Sequence, residues 1–193
     1  IVIAVVLALL FRYFIGTPTI VKQISMYPTL EQNQRLWLNR WGRTTKTLPE
    51  RGDIITFEAP AVREITQVNF DESNPVAIYS NKSKGIFEQL KNSINIFSET
   101  SFIKRVIGLP GDHIEIKNER VYVNGDPIKE NYLDAGTVTD SASGLFTDIV
   151  VPDGYVYVLG DNREVSCDSR LFGCIPVEKI EGKAVFRFWP LKK

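Results

Sequence analysis

Apolar and polar residues alternate, or form short β-rich runs, over much of the chain after residue 34. This period of two predicts strands, because successive side chains of a strand point to opposite faces of a sheet. Asn124-Gly125 is a turn signal that predicts a hairpin onto Pro127-Ile128, and Gly111-Asp112 marks a second turn. The sequence therefore predicts a mainly β fold, with strands at 35–39, 53–57, 102–109, 113–117, 120–124 and 155–159.

The first residues depart from this pattern. Residues 1–11 are all apolar, and Arg12 is followed by three further apolar or aromatic residues. A helix over residues 1–15 would be about 22 Å long, short of the ~30 Å hydrocarbon core of a bilayer. We predict a membrane anchor over residues 1–16 that is truncated, with Arg12 and Tyr13 at the bilayer surface. A cleavable signal peptide is the alternative, but residues 16–19 offer no A-x-A cleavage site.

The second departure is a polar stretch at about residues 60–100. Five apolar residues there lie on one side of a 3.6-residue period, which predicts an amphipathic helix over 85–98. They are Ile86, Phe87, Leu90, Ile94 and Phe97. We expect this helix to pack against the sheet; a contact with a partner or with the membrane is the alternative.

Composition narrows the functional classes. The 193 residues include 23 basic and 23 acidic side chains, so the chain has no net charge to attract nucleic acid. With 44% hydrophobic residues it is a globular chain of one domain, with or without an added piece. Cys167, Cys174 and His113 are its only cysteines and histidine, too few by themselves for a four-ligand zinc site. We expect no metal, no other cofactor and no nucleic-acid partner.

Two polar residues stand where they could perform chemistry. Ser25 closely follows the apolar segment and precedes Pro28, whereas Lys104 interrupts the apolar run 102–107. A strand directs Lys104 and Arg105 to opposite faces, so one of the two cations faces inward. Burial and the neighbouring arginine would both lower the pKa of Lys104, and a neutral amine can accept a proton from a serine hydroxyl. The alternative is a solvated serine and a lysine that reaches solvent at a sheet edge, while Arg105 pairs with a carboxylate.

A dense polar loop follows the strand at 155–159. Its short side chains at residues 160–170 can satisfy backbone groups, and an ion pair between Asp168 and Arg170 would fix its shape. A calcium loop is excluded, because Asp161 and Asn162 are adjacent rather than alternating and no glutamate closes the loop.

Four segments together resemble the motifs of type I signal peptidase, also called leader peptidase. They occur in the order of that family, follow an apolar segment, and place the resemblance over about residues 20 to 190. The C-terminal residues 184–190 are similar to cyanobacterial and thylakoid members in particular. The four segments are SMYPTL at 25–30, RGDI at 51–54, KRVIGLPGD at 104–112, and GDNR at 160–163 with Ser166, Asp168, Ser169 and Arg170.

The resemblance implies a membrane-bound serine endopeptidase with the β catalytic domain of this family. Such an enzyme removes signal peptides from preproteins on the extracytoplasmic side of a plasma or thylakoid membrane. Ser25 would be the nucleophile and Lys104 the general base. Ser166 would hydrogen-bond and orient the lysine amine, while Asp168 and Arg170 would hold the site through their ion pair.

The oxyanion hole and the substrate pockets also follow from the resemblance. The backbone N–H of Ser25 would be one oxyanion donor. The family often has a serine two residues earlier as the second donor, but here that position is Gln23. Either the Gln23 amide or the backbone alone completes the hole. Shallow pockets for small substrate side chains would be lined by four apolar residues, for which a role in the core is an equal alternative: Met26, Leu30, Phe102 and Ile103.

Several expectations complete this interpretation. Compact family members have a shorter connection before Lys104, so residues 60–100 are expected to be an insert in a catalytic domain that spans 17–193. Cys167 and Cys174 flank the polar loop and form either a disulfide or two buried thiols, and His113 is expected to be structural. We expect a monomer whose partners are preprotein signal peptides and the lipid bilayer.

Two rival functions remain at this point. A non-catalytic β-rich surface or binding module on a membrane stalk would be insensitive to the loss of Lys104. A Ser-Lys protease that cleaves its own chain, like the self-cleaving repressors, is disfavoured because a membrane anchor does not fit a role on DNA.

Overall fold

The chain begins with an apolar helix that leads directly into a sheet. The computed structural model describes residues 2–61, 74–79, 101–141 and 144–190. Helix α1 (Val2–Phe14) has no buried residue, and strand β1 (Gly16–Ile20) follows it after one residue. Among the described residues, no helix combines the length and the apolar character that crossing a bilayer requires. The helical N-terminus is present, and its role in a membrane stays a prediction.

Ten further strands and three short helical segments follow in the part of the chain that the structure describes. The helical segments are α2 (Trp41–Thr45), α3 (Ser169–Phe172) and a 3-10 turn at Val177–Lys179. The strands are β2 (Arg35–Asn39), β3 (Ile54–Glu58), β4 (Ser101–Gly108), β5 (His113–Lys117), β6 (Arg120–Val123), β7 (Asp126–Pro127), β8 (Asp148–Val150), β9 (Tyr155–Leu159), β10 (Ile175–Pro176) and β11 (Ile180–Trp189).

These strands form two antiparallel sheets. The larger has the order β1-β2-β11-β3-β4-β9-β10 and the smaller the order β7-β6-β5-β8. Strand β4 lies inside the larger sheet, where β3 pairs with one of its edges and β9 with the other. All of its residues from Ile103 to Gly108 are buried. The predicted mainly β fold is confirmed, and the strand that carries Lys104 is buried over six consecutive residues.

The predicted strands agree with the observed ones to within one residue at each end. The hairpin predicted at Asn124-Gly125 is also present, with β7 pairing back onto β6. Strand β11 was not predicted, because register shifts at Ala184/Phe186 and Arg187/Trp189 break its alternation. Strands β1, β8 and β10 and the short helices were likewise missed. The helix predicted at 85–98 lies outside the described residues, as does most of the stretch at 60–100.

A cluster of buried side chains joins the two sheets. Ile107, Tyr157 and Leu159 from the larger sheet pack in one cluster with residues of β5 and β6 from the smaller. The sheets pack closely at Gly108, where a Cβ atom would lie 2.8 Å from Ile114 Cδ1 and 2.9 Å from Val151 Cγ2. Contacts this short are repulsive, so only glycine fits between the sheets at this position.

We predict that Gly108→Ala destabilises the protein, because the added methyl group must push β4 away from Ile114 and Val151. Overpacking of this kind costs about 1–3 kcal/mol in the free energy of unfolding. Gly42→Ala is the matched control: its Cβ would meet only Thr47 O at 3.9 Å, and alanine favours its helix α2. Thermal unfolding of both variants in detergent checks the prediction, and an unchanged midpoint for Gly108→Ala would contradict it.

Candidate active site

Ser25 begins a turn whose apolar side chains are buried in the core. The loop between β1 and β2 is closed by hydrogen bonds from Val21 N to Gln34 O (2.9 Å) and from Asn33 N to Val21 O (2.8 Å). Met26 and Leu30 lie in a buried cluster with Val21, Leu36 and Ile103. Because this cluster fixes the turn, Ser25 is held at the edge of the core with 7% of its surface exposed.

Strand β4 brings Lys104 to this serine. Lys104 Nζ donates to Ser25 Oγ at 2.7 Å and to Ile103 O at 3.1 Å. The amine also lies 5.1 Å from the ring centre of Phe102. Lys104 is only 1% exposed. The two residues, 79 positions apart in the chain, therefore form a buried hydroxyl–amine pair.

Burial is what lowers the pKa of Lys104, to about 8. Removing the ammonium form from water disfavours it, whereas the nearby Asp168, Cys167 and Asp161 act in the opposite direction. The sequence predicted a second cause, repulsion from Arg105, and this is wrong. The charge of Arg105 is instead compensated by a carboxylate.

Both cations of the pair 104–105 are buried, rather than one. Arg105 lies 8% exposed and forms a two-point ion pair with Asp161, at 2.9 Å from Nε and 2.6 Å from Nη2. It also donates to Gly52 O at 2.9 Å. The expectation that only one side chain would face inward fails because the loop after β9 covers the second face of the strand.

That loop, residues 160–170, lies against the serine turn. Asn162 N donates to Ser25 O at 3.0 Å, and its amide Nδ2 donates to Ile24 O at 3.3 Å. A Cβ atom on Gly160 would lie 2.1 Å from Ser166 Oγ and 2.5 Å from Ser25 O. The glycine is thus required for the two segments to be this close.

The predicted ion pair between Asp168 and Arg170 is present and buried. Arg170 Nε and Nη2 lie 2.9 Å and 3.0 Å from the two carboxylate oxygens of Asp168. Asp168 also accepts a hydrogen bond from Gly160 N at 3.0 Å, and it caps helix α3. The Asp168 carboxylate therefore links the beginning of the loop, at Gly160, to its end, at Arg170.

Ser166 lies in the site but does not make its expected hydrogen bond. Its Oγ is buried and has no hydrogen-bond partner among the described residues. The hydrogen bonds of Lys104 Nζ go instead to Ser25 and to the carbonyl of Ile103. The hydroxyl remains in contact with the turn of Gly160, on the same loop as Asp168.

The residues expected to line substrate pockets are mostly core residues in this structure. Met26 and Ile103 are buried in the cluster beneath Ser25, and the Phe102 ring packs 6.1 Å from that of Phe57. Leu30 alone of the four lines a cavity beside the serine turn, of about 240 Å³. The other lining residues were missed, although two of them flank Ser25: Ile24, Tyr27, Glu31, Gln32 and Asn162.

Four further residues that the sequence singled out are a glutamine, two cysteines and a histidine. Gln23 is exposed, two residues before Ser25. Cys167 and Cys174 are free thiols, so the alternative of a disulfide is ruled out in this structure. Cys174 is fully buried, whereas Cys167 is half-buried. His113 lies on the surface of the smaller sheet, where its Nε2 pairs with Asp148 at 2.7 Å.

Comparisons with known proteins identify the family of this chain. The family model described as signal peptidase, peptidase S26, matches residues 1–189. The probable signal peptidase I-1 of Synechocystis sp. is 34% identical over 99% of this chain and 80% of its own length. The signal peptidase IB of Staphylococcus aureus is 35% identical over all of this chain and 88% of its own.

A solved structure, a signal peptidase I from Enterococcus faecalis V583, aligns with 72% of this chain and 98% of that chain. The sequence identity is 27% and the TM-score is 0.44. The identity to the cyanobacterial relative is no higher than that to the staphylococcal one, so the cyanobacterial or thylakoid character of residues 184–190 stays a prediction. The match over residues 1–189 and the relatives aligned over the whole chain show that this protein belongs to the signal peptidase family, peptidase S26.

Proposed function

We propose that this signal peptidase cleaves the signal peptides of preproteins with Ser25 as its nucleophile and Lys104 as its general base. The observation that carries the proposal is the 2.7 Å hydrogen bond between Lys104 Nζ and Ser25 Oγ. A lysine that is 1% exposed, with a pKa of about 8, is neutral in roughly one molecule in ten at pH 7, far more than an exposed lysine with its usual pKa of about 10.4. A neutral amine at this distance can accept the hydroxyl proton.

The reaction then follows from the two atoms in contact. Ser25 Oγ attacks the carbonyl carbon of the scissile bond while its proton passes to Lys104 Nζ. The resulting ammonium gives this proton to the departing amine, and the signal peptide stays bound to Ser25 as an ester. A water molecule, deprotonated by the same amine, hydrolyses the ester and restores the serine.

Two donors are proposed for the oxyanion that forms during the attack. One is the backbone N–H of Ser25, as in other enzymes with a serine nucleophile. The other is the side-chain amide of Gln23, which is exposed and two residues away. In this role glutamine replaces the serine that is common in the family.

The loop at 160–170 is proposed to hold the amine in place. Ser166 Oγ, buried without a partner, is available to accept a hydrogen bond from Lys104 Nζ when the proton has been transferred. Asp168 and Arg170 fix the loop that carries this hydroxyl, through contacts of 2.9 Å and 3.0 Å. An ammonium with this acceptor is stabilised at the step in which it carries the proton.

Substrate residues near the cleaved bond are proposed to use the cavity of about 240 Å³ beside Ser25. Ile24 and Tyr27 line it and are each about half-exposed, at 51% and 49%. Such an open, apolar surface next to a nucleophile suits the side chains of an extended polypeptide.

The protein is proposed to act as a monomer on a membrane, anchored by residues 1–16 with residues 17–193 on the extracytoplasmic side. Helix α1 is apolar and has no buried residue. Its Phe11 ring lies 6.4 Å from Trp37, which stacks on Phe186 at the same distance. Apolar surface thus continues from the helix onto the sheet, and a bilayer can cover such a surface.

We predict that Ser25→Ala and Lys104→Ala each abolish cleavage of a preprotein with an A-x-A site. Because the two residues act as one unit, the double variant should be no less active than either single variant. Mass determination of the products measures the cut, and His113→Gln is the matched control that should retain parental activity. Substantial processing by Lys104→Ala would contradict the assignment.

Activity should depend on pH through Lys104. Below a pKa of about 8 the amine is mostly protonated and cannot act as a base, so the rate should rise about tenfold per pH unit and level off above pH 8. The profile of kcat/KM against pH measures this midpoint. His113→Gln should show the same profile; a basic limb that disappears in this variant would identify histidine as the base.

Gln23→Ala should lower kcat by roughly 10²-fold or more, the cost of removing one oxyanion donor, with little change in KM. Steady-state kinetics on a soluble peptide measures both constants. Lys22→Ala, which truncates an exposed side chain one residue earlier in the chain that the proposal does not use, is the control. A kcat for Gln23→Ala within about threefold of the parent would leave the backbone as the sole source of donors.

A further inference from the structure

A segment outside every recognised motif contacts the loop at 160–170. Residues 128–141, which we call the strap, leave the smaller sheet after β7 and pass over this loop. One end is held by a hydrogen bond from Ile128 N to Val121 O at 3.1 Å, and the other by one from Thr139 N to Glu119 O at 3.0 Å. The strap therefore links the smaller sheet to the catalytic part of the larger one.

The main contact is an ion pair between the strap and Arg163. Arg163 Nη1 donates to Glu130 Oε2 at 3.2 Å, and Nη2 donates to the other oxygen of the same carboxylate. Nη1 also donates to Thr139 Oγ1. The side chain of Arg163 is 0% exposed and that of Glu130 12%. A guanidinium without water depends on its partner, because an unpaired buried charge is strongly destabilising.

Arg163 also binds the backbone that shapes the active site. Its Nε donates to Gly160 O at 3.0 Å, and its own carbonyl accepts from Arg170 Nη2 at 2.7 Å. Asn162 lies between Gly160 and Arg163 in the chain, and its backbone N–H donates to the carbonyl of Ser25. A shift of Arg163 would therefore move the residues that position the nucleophile.

A second contact joins the strap to the strand of the general base. Tyr132 OH donates to Glu130 Oε1 at 2.7 Å, and the guanidinium of Arg105 lies 3.8 Å from the centre of the Tyr132 ring. Arg105 is the residue next to Lys104 and is paired with Asp161. Glu130 thus pairs with Arg163 of the loop and is linked through Tyr132 to Arg105, the neighbour of Lys104.

We infer that Glu130 is a positioning residue for signal-peptide cleavage: its carboxylate, carried by the strap, holds Arg163 and thereby the loop that places Ser25 and Lys104 in contact. The smaller sheet thus takes part in catalysis, as the support from which the strap reaches the site. This inference rests on the proposed roles of Ser25 and Lys104.

The test separates positioning from simple stability. Glu130→Met alone leaves Arg163 buried and unpaired, so this variant should unfold at a lower temperature. The double variant Glu130→Met/Arg163→Met removes both charges, and an apolar replacement of a buried ion pair is often neutral for stability. We expect it to melt near the parent yet to show a kcat at least about tenfold lower with KM within about twofold, since no residue of the strap lines the cavity beside Ser25.

The matched control is Glu115→Met/Lys117→Met, which replaces an exposed ion pair on β5 of the same smaller sheet. It should retain the parental kcat. A folded Glu130→Met/Arg163→Met enzyme with parental kcat would overturn the inference. If this double variant does not fold, Glu130→Gln provides the test, because it keeps the shape of the side chain and removes its charge. Glu130→Gln should lower kcat without changing KM, and a parental kcat would overturn the inference.

Hydrogen exchange supplies a readout that does not depend on cleavage. In the folded double variant, or in Glu130→Gln, amides of residues 160–170 should exchange faster than in the parent, while those of β4 remain unchanged. Equal exchange in this loop would also overturn the inference. A parent protein that fails to cleave an A-x-A preprotein would contradict the proposed function instead, and the exchange experiment would still test the role of Glu130.

Discussion

The exclusion of water from the Lys104 amine is the interaction on which the rest of the site depends. Lys104 lies on an enclosed strand, with β3 and β9 on its two edges and the apolar cluster of the Ser25 turn beside it. Two carboxylates nearby, Asp161 and Asp168, would favour the ammonium form. Each of them is already paired with an arginine, so burial prevails and the pKa of Lys104 falls to about 8.

Three buried arginine–carboxylate pairs hold the loop at 160–170 around this amine. They are Arg105 with Asp161, Arg163 with Glu130, and Arg170 with Asp168. The first joins the loop to strand β4 and the second joins it to the strap, whereas the third lies within the loop itself. Such pairs contribute little net stability compared with apolar packing, but their directional hydrogen bonds fix geometry. They explain how a loop of short polar residues keeps one shape next to a nucleophile.

The pattern of apolar and polar residues was sufficient to predict the mainly β fold. Strand β5 buries alternate residues on one face, and β9 is a continuous apolar run. The pattern did not predict β11, because bulges break the period of two in this strand. It also did not predict that Arg105 is buried, because the loop that covers this side chain is remote from it in sequence. The resemblance to signal peptidase placed Ser25, Lys104, Asp168 and Arg170 in one site, and these residues lie close together in the structure. It could not find Glu130, which lies 33 positions from Arg163 and has no local pattern of its own. It also could not show that Met26 and Ile103 form the core beneath the serine.

The central claim is that burial lowers the pKa of Lys104 to about 8, and a direct titration of its amine tests this. In Ser25→Ala protein with ¹⁵N-labelled lysine, the Nζ resonance assigned by comparison with Lys104→Arg should be followed by NMR from pH 6 to pH 11. The account predicts a midpoint near 8, well below that of the exposed lysines. A midpoint near the ordinary lysine value of about 10.4 would contradict it.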